Sequence, residues 1–359
     1  MNERPRVRDD LALMAGYHSP QLDVAVRLNT NEAPEPPPEE FRRRVAEAAT
    51  AVDWHRYPER DASALRAKIA AVEGTTAANV FAANGSNEVL QTILLAYGGP
   101  GRTALTFEPT YALHAHIARL AGTNVVEVER TDGFEIDPAA ASERILAERP
   151  AVTFLCSPNN PTGMVESEDL IRAVLDLVTG FGGLLVVDEA YGQFAPWSAL
   201  ELVSDDRPLV VTRTFSKTWS MAGARLGYAI GPTWLVSALQ AVALPYHLDA
   251  LKQRAGEIAL DYADHMHRRV SALVEERGRV AAGLAELAVD QWPSGANFIL
   301  FRPRDRSGPE VWQALVDRSV LVRNCASWPR LDGCLRVTLG TPEENSAFLA
   351  ALAEILEEA

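Results

Sequence analysis

One lysine stands out in a chain that otherwise prefers arginine. Only three of the 34 lysines and arginines are lysines. Lys68 and Lys252 lie in polar, helix-like surroundings, whereas Lys217 lies between two hydroxyl residues in the apolar, glycine-punctuated run "RTFSKTWSMAGARLGY" (213–228). A lysine differs from an arginine in offering a primary amine that can lose its proton and act as a nucleophile. The sequence therefore marks Lys217 as a candidate for chemistry at its amine.

Other polar residues follow short apolar runs in the same way. They are Ser86 in "VFAANGSNEVL", Tyr111 in "ALTFEPTY", Asn159 and Asn160 in "VTFLCSPNNPTG", Asp188 and Tyr191 in "LLVVDEAY", and Thr214, Ser216 and Lys217 in "VVTRTFSK". Any one of these motifs has a simpler structural explanation, such as a helix cap or a turn. Because all of them follow predicted strands, we expect them at one edge of one sheet, and that coincidence favours a functional site.

The elements predicted to hold these residues alternate between strands and helices. The strand-like runs are 79–83, 102–107, 124–129, 151–156, 183–188, 208–213 and 226–230. Most are apolar and β-branched throughout, which is typical of strands covered on both faces. Helix-like stretches such as 86–97 and 167–178 lie between many of them. This pattern predicts an α/β fold with a mostly parallel central sheet flanked by helices, and such sheets bind ligands beyond the carboxyl ends of their strands.

Changes in composition and in the pattern of predicted elements divide the chain into three parts. Residues 1–35 form an N-terminal arm that enters a proline-rich run, in which regular structure is forbidden. Residues 36–245 contain the alternating elements and form a large domain. Residues 246–359 begin with a helical region at roughly 249–287, continue with short strands, and form a smaller α/β domain. We expect the arm to pack on the smaller domain or on a neighbouring subunit.

Composition excludes several classes of function. With 47% hydrophobic and 23% charged residues, the chain is typical of soluble globular proteins. Its net charge of −14 argues against nucleic acid as a partner, since that needs clustered basic residues. The N-terminus lacks a secretory apolar core, and no apolar run reaches the roughly 20 residues of a membrane helix. The odd count of three cysteines suits a reducing compartment. We expect a cytoplasmic enzyme with no membrane partner.

The histidines do not predict a metal site. His265 and His267 lie in one helix-like stretch and would face different directions. We expect His114 and His116 to face solvent or to bond locally. Trp328 follows Arg323 closely, so both a place in the pocket wall and a packing role fit it, and the packing role is favoured.

Together these motifs resemble the fold-type I pyridoxal-phosphate (PLP) aminotransferases, in particular the histidinol-phosphate aminotransferase group. The resemblance runs through "RLNTNEAP", "HRYPERDASALR", "ANGSNE", "PTY", "CSPNNPTG", "VVDEAY", "RTFSKTWSMAGARLGY", "LPYHL", "LVRN" and "CLRVTLGTPEEN". It covers nearly the whole chain, and the order of the motifs is specific for the fold and the cofactor but less so for the substrate. It implies a large PLP-binding domain with a mostly parallel sheet and a smaller α/β domain.

The resemblance implies a role for each residue near the cofactor ring. Lys217 would form a Schiff base with PLP and then, as a free amine, move the proton between substrate and cofactor. Asp188 would keep the pyridine nitrogen protonated, and Asn160 and Tyr191 would donate to the ring oxygen. Lys217, Asp188 and Tyr191 are thus the expected catalytic residues. Tyr111 would cover the ring face.

The resemblance also implies how the cofactor phosphate is held. The expected ligands are Gly85, Ser86 and Asn87 at a helix N-terminus, the hydroxyls of Thr214 and Ser216, and the guanidinium of Arg225. Tyr57, in the "RYP" motif, matches a family residue that reaches the phosphate in the neighbouring subunit. A homodimer with shared active sites follows from that match.

Substrate recognition is implied for a further set of residues. Arg336 and Arg323 match the family's anion-binding arginines, Tyr17 and Asn29 lie where the arm contacts substrate, and Asn160 also faces it. The amino donor and the oxo-acid acceptor are both anions. The expected reaction is histidinol-phosphate:2-oxoglutarate transamination in histidine biosynthesis, with ping-pong kinetics.

Two other reactions fit the same residues. One is transamination of aromatic or other amino acids, and the other is decarboxylation of the threonine-phosphate type on the same scaffold. Ala33 replaces the family's usual asparagine, Asn87 stands where aspartate is common, and "GYHSPQ" (16–21) replaces a glycine-containing arm. These departures lie where the substrate is chosen, so the substrate alternatives stay open. "LVRN" and "CLRVTLGTPEEN" favour transamination.

Overall fold

The computed structural model describes residues 5–8, 11 and 21–358, whose strands form two sheets. After a first short strand, β1 (Val26–Leu28), come the seven strands of the larger sheet. These are β2 (Val80–Ala83), β3 (Thr103–Glu108), β4 (Asn124–Glu129), β5 (Val152–Cys156), β6 (Leu184–Asp188), β7 (Leu209–Thr214) and β8 (Gly227–Ile230). Their order is β2-β8-β7-β6-β5-β3-β4, and only β8 runs antiparallel to its neighbours. The predicted mostly parallel sheet is confirmed.

Helices cover both faces of this sheet. After α1 (Glu39–Ala51), which packs on a later helix at Ala250–Leu260, these are α2 (Ser63–Glu73), α3 (Ser86–Tyr97), α4 (Leu113–Leu120), α5 (Pro138–Glu148), α6 (Glu168–Thr179) and α7 (Thr233–Val242). Apolar residues of α3, α4 and α7 form one core cluster with alternate strand residues, and those of α5 and α6 form another with the intervening ones. Because successive side chains of a strand point to opposite faces, the two clusters lie on opposite sides of the sheet.

A second sheet of five strands follows. After α8 (Ala250–Leu260) and α9 (Ala263–Ala285) come β9 (Val289–Gln291), β10 (Phe298–Pro303), α10 (Gly308–Asp317), β11 (Val320–Asn324), β12 (Leu335–Thr338) and α11 (Pro342–Glu357). The strand order is β1-β11-β12-β10-β9, with β1 parallel to β11 and the other pairs antiparallel. The arm thus joins the second sheet through β1. The division at residues 35 and 245 remains a prediction.

The register of the larger sheet brings the candidate residues together. Asp188, the last residue of β6, pairs with Cys156 at the end of β5 on one side and with Thr212 of β7 on the other. The β2–α3 turn and the segments that follow β3, β5, β6 and β7 therefore meet at one edge. This is the edge at which parallel sheets bind ligands.

Candidate active site

A cavity of about 340 Å³ opens at the carboxyl edge of the larger sheet. This volume lies within the roughly 300–1,000 Å³ range of small-molecule sites. Its polar lining residues are Thr30, Asn31, Glu32, Ser86, Asn87, Tyr111, Asn160, Asp188, Tyr191, Thr214, Ser216, Lys217, Arg225 and Arg336. Trp328 also lines it. The structure thus brings most of the predicted site residues to one place.

One part of the cavity is built where the N-terminus of α3 meets the start of β8. Gly85 has φ +84°, a backbone conformation that residues with a side chain rarely adopt. A Cβ at this position would lie 3.0 Å from Nη2 of Arg225. A Cβ on Gly227 would lie 2.4 Å from the backbone nitrogen of Ser86. Both glycines are therefore needed for the close approach of backbone and guanidinium. The first amides of α3 are suited to bind an anion.

Hydroxyl groups and a fixed cation complete this anion site. Nη1 of Arg225 donates to Oγ of Ser216 at 3.3 Å, and Oγ1 of Thr214 donates to the same oxygen at 3.0 Å. Arg225 adopts φ 52°, a left-handed backbone that costs a non-glycine residue about 1–3 kcal/mol. A helix N-terminus, two hydroxyls and an arginine form a suitable site for a phosphate dianion.

An aromatic wall stands beside the anion site. The hydroxyl of Tyr111 donates to Oδ1 of Asn87 at 3.1 Å, which fixes the ring relative to the first turn of α3. Tyr111 meets the ring of His114 edge to face, with centroids 5.5 Å apart. The ring of Tyr111 is therefore held as a flat surface on which a planar ligand can stack.

Asp188 is a buried carboxylate at the end of β6. Only 1% of its surface is exposed. Its Oδ1 accepts from the amide of Ala190 at 3.1 Å and from Oγ1 of Thr212 at 3.2 Å. A carboxylate held in a cavity wall in this way can pair with a protonated ring nitrogen.

His114 holds the other oxygen of Asp188, a contact that the sequence analysis missed. Its Nε2 lies 2.9 Å from Oδ2 of Asp188, its side chain is completely buried, and its ring is stacked on Phe154 at 4.8 Å. The expectation that His114 faces solvent or bonds locally was wrong. A signal was present, since His114 follows Tyr111 by only three residues, and its backbone N–H donates to the carbonyl of Tyr111 at 2.9 Å.

Tyr191 is buried at the junction of the two sheets. Burial raises the pKa of its hydroxyl to about 12, so the group stays protonated and can donate. The hydroxyl accepts a hydrogen bond from the side-chain Nδ2 of Asn31 at 2.9 Å. The backbone N–H of Asn31 donates to Oγ1 of Thr338 at 3.0 Å. Asn31 therefore joins the arm, β12 and Tyr191. The sequence analysis did not single out Asn31, because this link depends on contacts between residues far apart in the chain.

Lys217 lines the cavity and has a weakly basic amine. Its Nζ donates to the carbonyl of Thr30 at 3.0 Å. Burial, together with the positive charges of Arg336 and Arg225, lowers the pKa of Lys217 to about 7, although Glu32 opposes the shift. Near neutral pH a large fraction of this amine is unprotonated, as a nucleophile or a general base requires.

Arg336 brings a second cation into the cavity from β12. It is 5% exposed, its Nη1 donates to Oδ1 of Asn160, and its Nη2 donates to the carbonyl of Asn29 at 3.2 Å. Its guanidinium carbon lies 5.0 Å from the centroid of the Phe298 ring. These contacts fix the guanidinium, and its arrangement suits the recognition of an anionic substrate group.

Two of the predicted residues that the structure describes lie away from this cavity. Arg323 lines an adjoining cavity of about 290 Å³ and lies against the ring of Trp328. Tyr57 is 80% exposed, lies outside the main cavity and stacks on Tyr246 at 4.6 Å. Tyr17 lies outside the described residues.

The arrangement fits PLP. The anion site matches its phosphate, the carboxylate of Asp188 matches its ring nitrogen, the face of Tyr111 matches its ring, and the amine of Lys217 matches its aldehyde. This fit rests on the donor set of the cavity itself.

A family model for aminotransferases of class I and II matches residues 23–352. The chain belongs to this family. It is therefore a PLP-dependent transaminase, as the sequence analysis predicted.

Similar proteins with assigned activities cover nearly the whole chain. A histidinol-phosphate aminotransferase of Frankia casuarinae is 44% identical over 98% of this chain and 90% of its own length. One from Mycobacterium marinum is 45% identical over 97% of this chain and 92% of its own length. Among solved structures, the histidinol-phosphate aminotransferase of Sinorhizobium meliloti in complex with pyridoxal-5'-phosphate has a TM-score of 0.83 at 24% identity. That match covers 93% of this chain and 91% of the other. It shows the shared fold.

Neither a membrane-spanning helix nor a metal-ligand cluster is found among the described residues. Across residues 5–8, 11 and 21–358, no helix combines the length and apolar character needed to cross a bilayer. The same residues contain no group of three or more histidines, cysteines or acids able to hold a metal ion. All three cysteines are buried free thiols, and burial raises the pKa of Cys325 to about 11.

Proposed function

We propose that this transaminase is a histidinol-phosphate:2-oxoglutarate aminotransferase of histidine biosynthesis. The observation that carries the proposal is the second cationic group in the cavity, Arg336, whose guanidinium is held by Asn160 and Asn29 and not by the residues around Arg225. A site with two separate anion-binding groups suits a phosphorylated cofactor together with an anionic substrate. The names of relatives 44–45% identical over nearly their full length support the same reaction.

The cavity residues divide into those that hold the cofactor and those that hold the substrate. When bound, PLP supplies an aldehyde that forms a Schiff base with an amine and a ring that accepts electrons. We assign its phosphate to Gly85, Ser86, Asn87, Thr214, Ser216 and Arg225, supported by the anion site at the α3 N-terminus. Asp188 pairs with the ring nitrogen, Tyr191 and Asn160 donate to the ring oxygen, and Tyr111 covers the ring.

Lys217 is the group that moves protons. Its amine would hold the cofactor and, as a free amine, would take the proton from the carbon of the donor that bears nitrogen. A pKa near 7 supports this role, because the amine can accept and return a proton at neutral pH. Tyr191 keeps its own proton, since its pKa is about 12, and acts as a hydrogen-bond donor.

Arg336 and Arg323 are assigned to the anionic end of each substrate. They occupy directly opposed positions on β12 and β11, so their side chains leave the same face of the second sheet. The donor presents a phosphate and the acceptor a carboxylate, and a fixed guanidinium can bind either group through paired hydrogen bonds. Asn29 and Asn160 orient Arg336 for this task, and Tyr17 is proposed as a further contact from the arm.

We further propose a cytoplasmic homodimer with shared active sites. Trp54, Tyr57, Leu244 and Tyr246 are large side chains between 42% and 80% exposed. Large exposed apolar side chains of this kind are characteristic of protein contact surfaces. Tyr57 would then reach the cofactor phosphate of the second subunit.

Growth of a bacterial strain that lacks its own histidinol-phosphate aminotransferase tests the function. We expect this chain to restore growth without histidine, and the Lys217→Arg variant to fail, because a guanidinium cannot form the Schiff base. Lys252→Arg is the matched control and should restore growth. A soluble wild-type protein that does not restore growth would contradict the proposal. Phenylpyruvate formation from phenylalanine, or carbon dioxide release from threonine phosphate, would then identify the alternative.

A further inference from the structure

Trp328 separates the main cavity from a second one. It lines the active-site cavity together with Arg336, and it also lines the adjoining cavity of about 290 Å³ together with Arg323. The guanidinium carbon of Arg323 lies 5.1 Å from the centroid of the Trp328 ring, a cation–π contact. Trp328 therefore stands between the two arginines assigned to the substrate.

The indole nitrogen of Trp328 has no hydrogen-bond partner within the described part of the chain, although it is buried. Buried tryptophan N–H groups usually find an acceptor, because leaving one unpaired costs free energy. The polar residues that line the adjoining cavity include the possible acceptors Glu108, Glu127 and Ser327, yet none of them accepts a hydrogen bond from this N–H. An anionic ligand in the cavity would supply the missing acceptor.

We propose that Trp328 determines specificity for the phosphate of the amino donor. Its N–H donates to a phosphate oxygen, and its ring holds Arg323 beside Arg336. This inference rests on the proposed function and deepens it.

The geometry of the two substrate anions explains why the effect falls on the phosphate. Each of the two carboxylates of 2-oxoglutarate has two oxygens in one plane, and one bidentate guanidinium, such as that of Arg336 or Arg323, satisfies each of them. A phosphate has three terminal oxygens and up to two charges, so it needs further donors and a second cation. Trp328 and Arg323 are the groups placed to provide them next to Arg336.

Two substitutions separate the roles of the ring and the N–H. Trp328→Phe keeps an aromatic face for Arg323 and removes the donor, whereas Trp328→Leu removes both. Losing a hydrogen bond to a charged group typically weakens binding by about tenfold or more. We expect Trp328→Phe to raise the KM for histidinol phosphate by about tenfold, and Trp328→Leu to raise it further. The kcat, and the KM for 2-oxoglutarate, should change by less than about threefold.

Trp292→Phe is the matched control. Trp292 packs on the same small core cluster as Trp328 and lies under an arginine, Arg302, at 5.6 Å, but it does not line the active-site cavity. The Trp292→Phe substitution should leave both KM values within about twofold, because Trp292 does not line the active-site cavity and phenylalanine keeps an aromatic ring in the same cluster. Inorganic phosphate, used as a competitive inhibitor of the holoenzyme, should bind less tightly to both Trp328 variants and equally to the control.

The outcomes are distinct. If wild-type enzyme does not turn over histidinol phosphate, the proposed function fails and the inference fails with it. If wild-type enzyme turns over histidinol phosphate and the Trp328→Phe variant has the same KM for it, the inference alone is wrong. Equal increases in the KM values for both substrates would also overturn it, because they would indicate general damage to the site. A selective loss for histidinol phosphate and for inorganic phosphate supports it.

Discussion

At the scale of single residues, the chemistry depends on what surrounds each polar group. Lys217 has an amine of low pKa because burial and two arginines disfavour its ammonium form. The sequence located Lys217 from its neighbours and from the rarity of lysine. The lowered pKa was not readable there, because Arg336 lies 119 positions further along the chain and approaches only in the folded state.

The pH dependence of Lys217 reactivity follows from these charges. In the cofactor-free protein, carbamylation of Lys217 by cyanate should have its midpoint near pH 7, since only the neutral amine reacts. Arg336→Gln removes a positive charge that disfavours the ammonium form, so the pKa should rise and the midpoint should move to higher pH. Peptide mass spectrometry after short pulses of cyanate measures the midpoint in the wild-type protein and in the Arg336→Gln variant. Lys68, in the same digests, is the internal control, and an unchanged Lys217 midpoint would contradict the assignment.

His114 provides the second residue-scale prediction. His114→Phe preserves a ring against Phe154 but removes the hydrogen bond to Asp188, a bond to a charged group worth about 1.5–3 kcal/mol. We expect PLP affinity to fall by roughly tenfold or more, measured by absorbance titration of the cofactor-free protein, and the pH dependence of the cofactor spectrum to shift. His114→Asn, which can still donate, should recover part of the loss.

His116→Phe, in the same helix but outside the cavity lining, is the control for His114. A purely structural role for His114 would lower the melting temperature without moving the spectrum. Such a result would exclude His114 as a positioning residue for Asp188.

At the scale of elements, the sequence predicted what depends on local pattern. All seven strands of the larger sheet were found within a residue or two of their predicted positions, because buried parallel strands are continuous apolar runs. β1 and β9 were missed. Each has three residues, and each is defined by its pairing with a distant strand. The predicted helical region at 249–287 is divided into α8 and α9, which are separated by Asp261 and Tyr262.

The close contact between α3 and β8 yields an element-scale prediction. Gly227→Ala would place a methyl group 2.4 Å from the amide of Ser86 and push the N-terminus of α3 away from Arg225. We expect the affinity for PLP to fall by tenfold or more, since the phosphate site loses its geometry. Gly278→Ala, in α9 with no atom within 4 Å of the new methyl, is the control. Equal affinities in the two variants would contradict the proposed phosphate site.

At the scale of the whole molecule, the arm and the two sheets share one site. Asn31 in the arm bonds to Tyr191 beyond β6 and to Thr338 of β12. Such convergence was predictable only through the family resemblance, since nothing local in the sequence specifies it. Arg323 pairs with Arg336 across β11 and β12 but lines the adjoining cavity next to Trp328, and its role in substrate binding stays a prediction.

Assembly gives the whole-molecule prediction. Light scattering should give a mass of twice 39.1 kDa. Tyr57→Ala and Lys217→Ala homodimers should each be impaired, the first in PLP affinity and the second in turnover. A mixed dimer of the two should regain one intact site, because one subunit keeps Lys217 and its partner supplies the intact tyrosine. Mixed dimers with no recovered activity would contradict shared active sites.

The central claim is that Lys217, with PLP bound, accepts the amino group of histidinol phosphate. The most direct measurement is a half-reaction followed by absorbance, in which the yellow holoenzyme is mixed with histidinol phosphate without any oxo acid. A parallel cuvette receives phenylalanine. We predict rapid conversion of the spectrum to that of pyridoxamine phosphate at micromolar histidinol phosphate and little change with phenylalanine. Conversion by phenylalanine alone, or no conversion by either, would contradict the account.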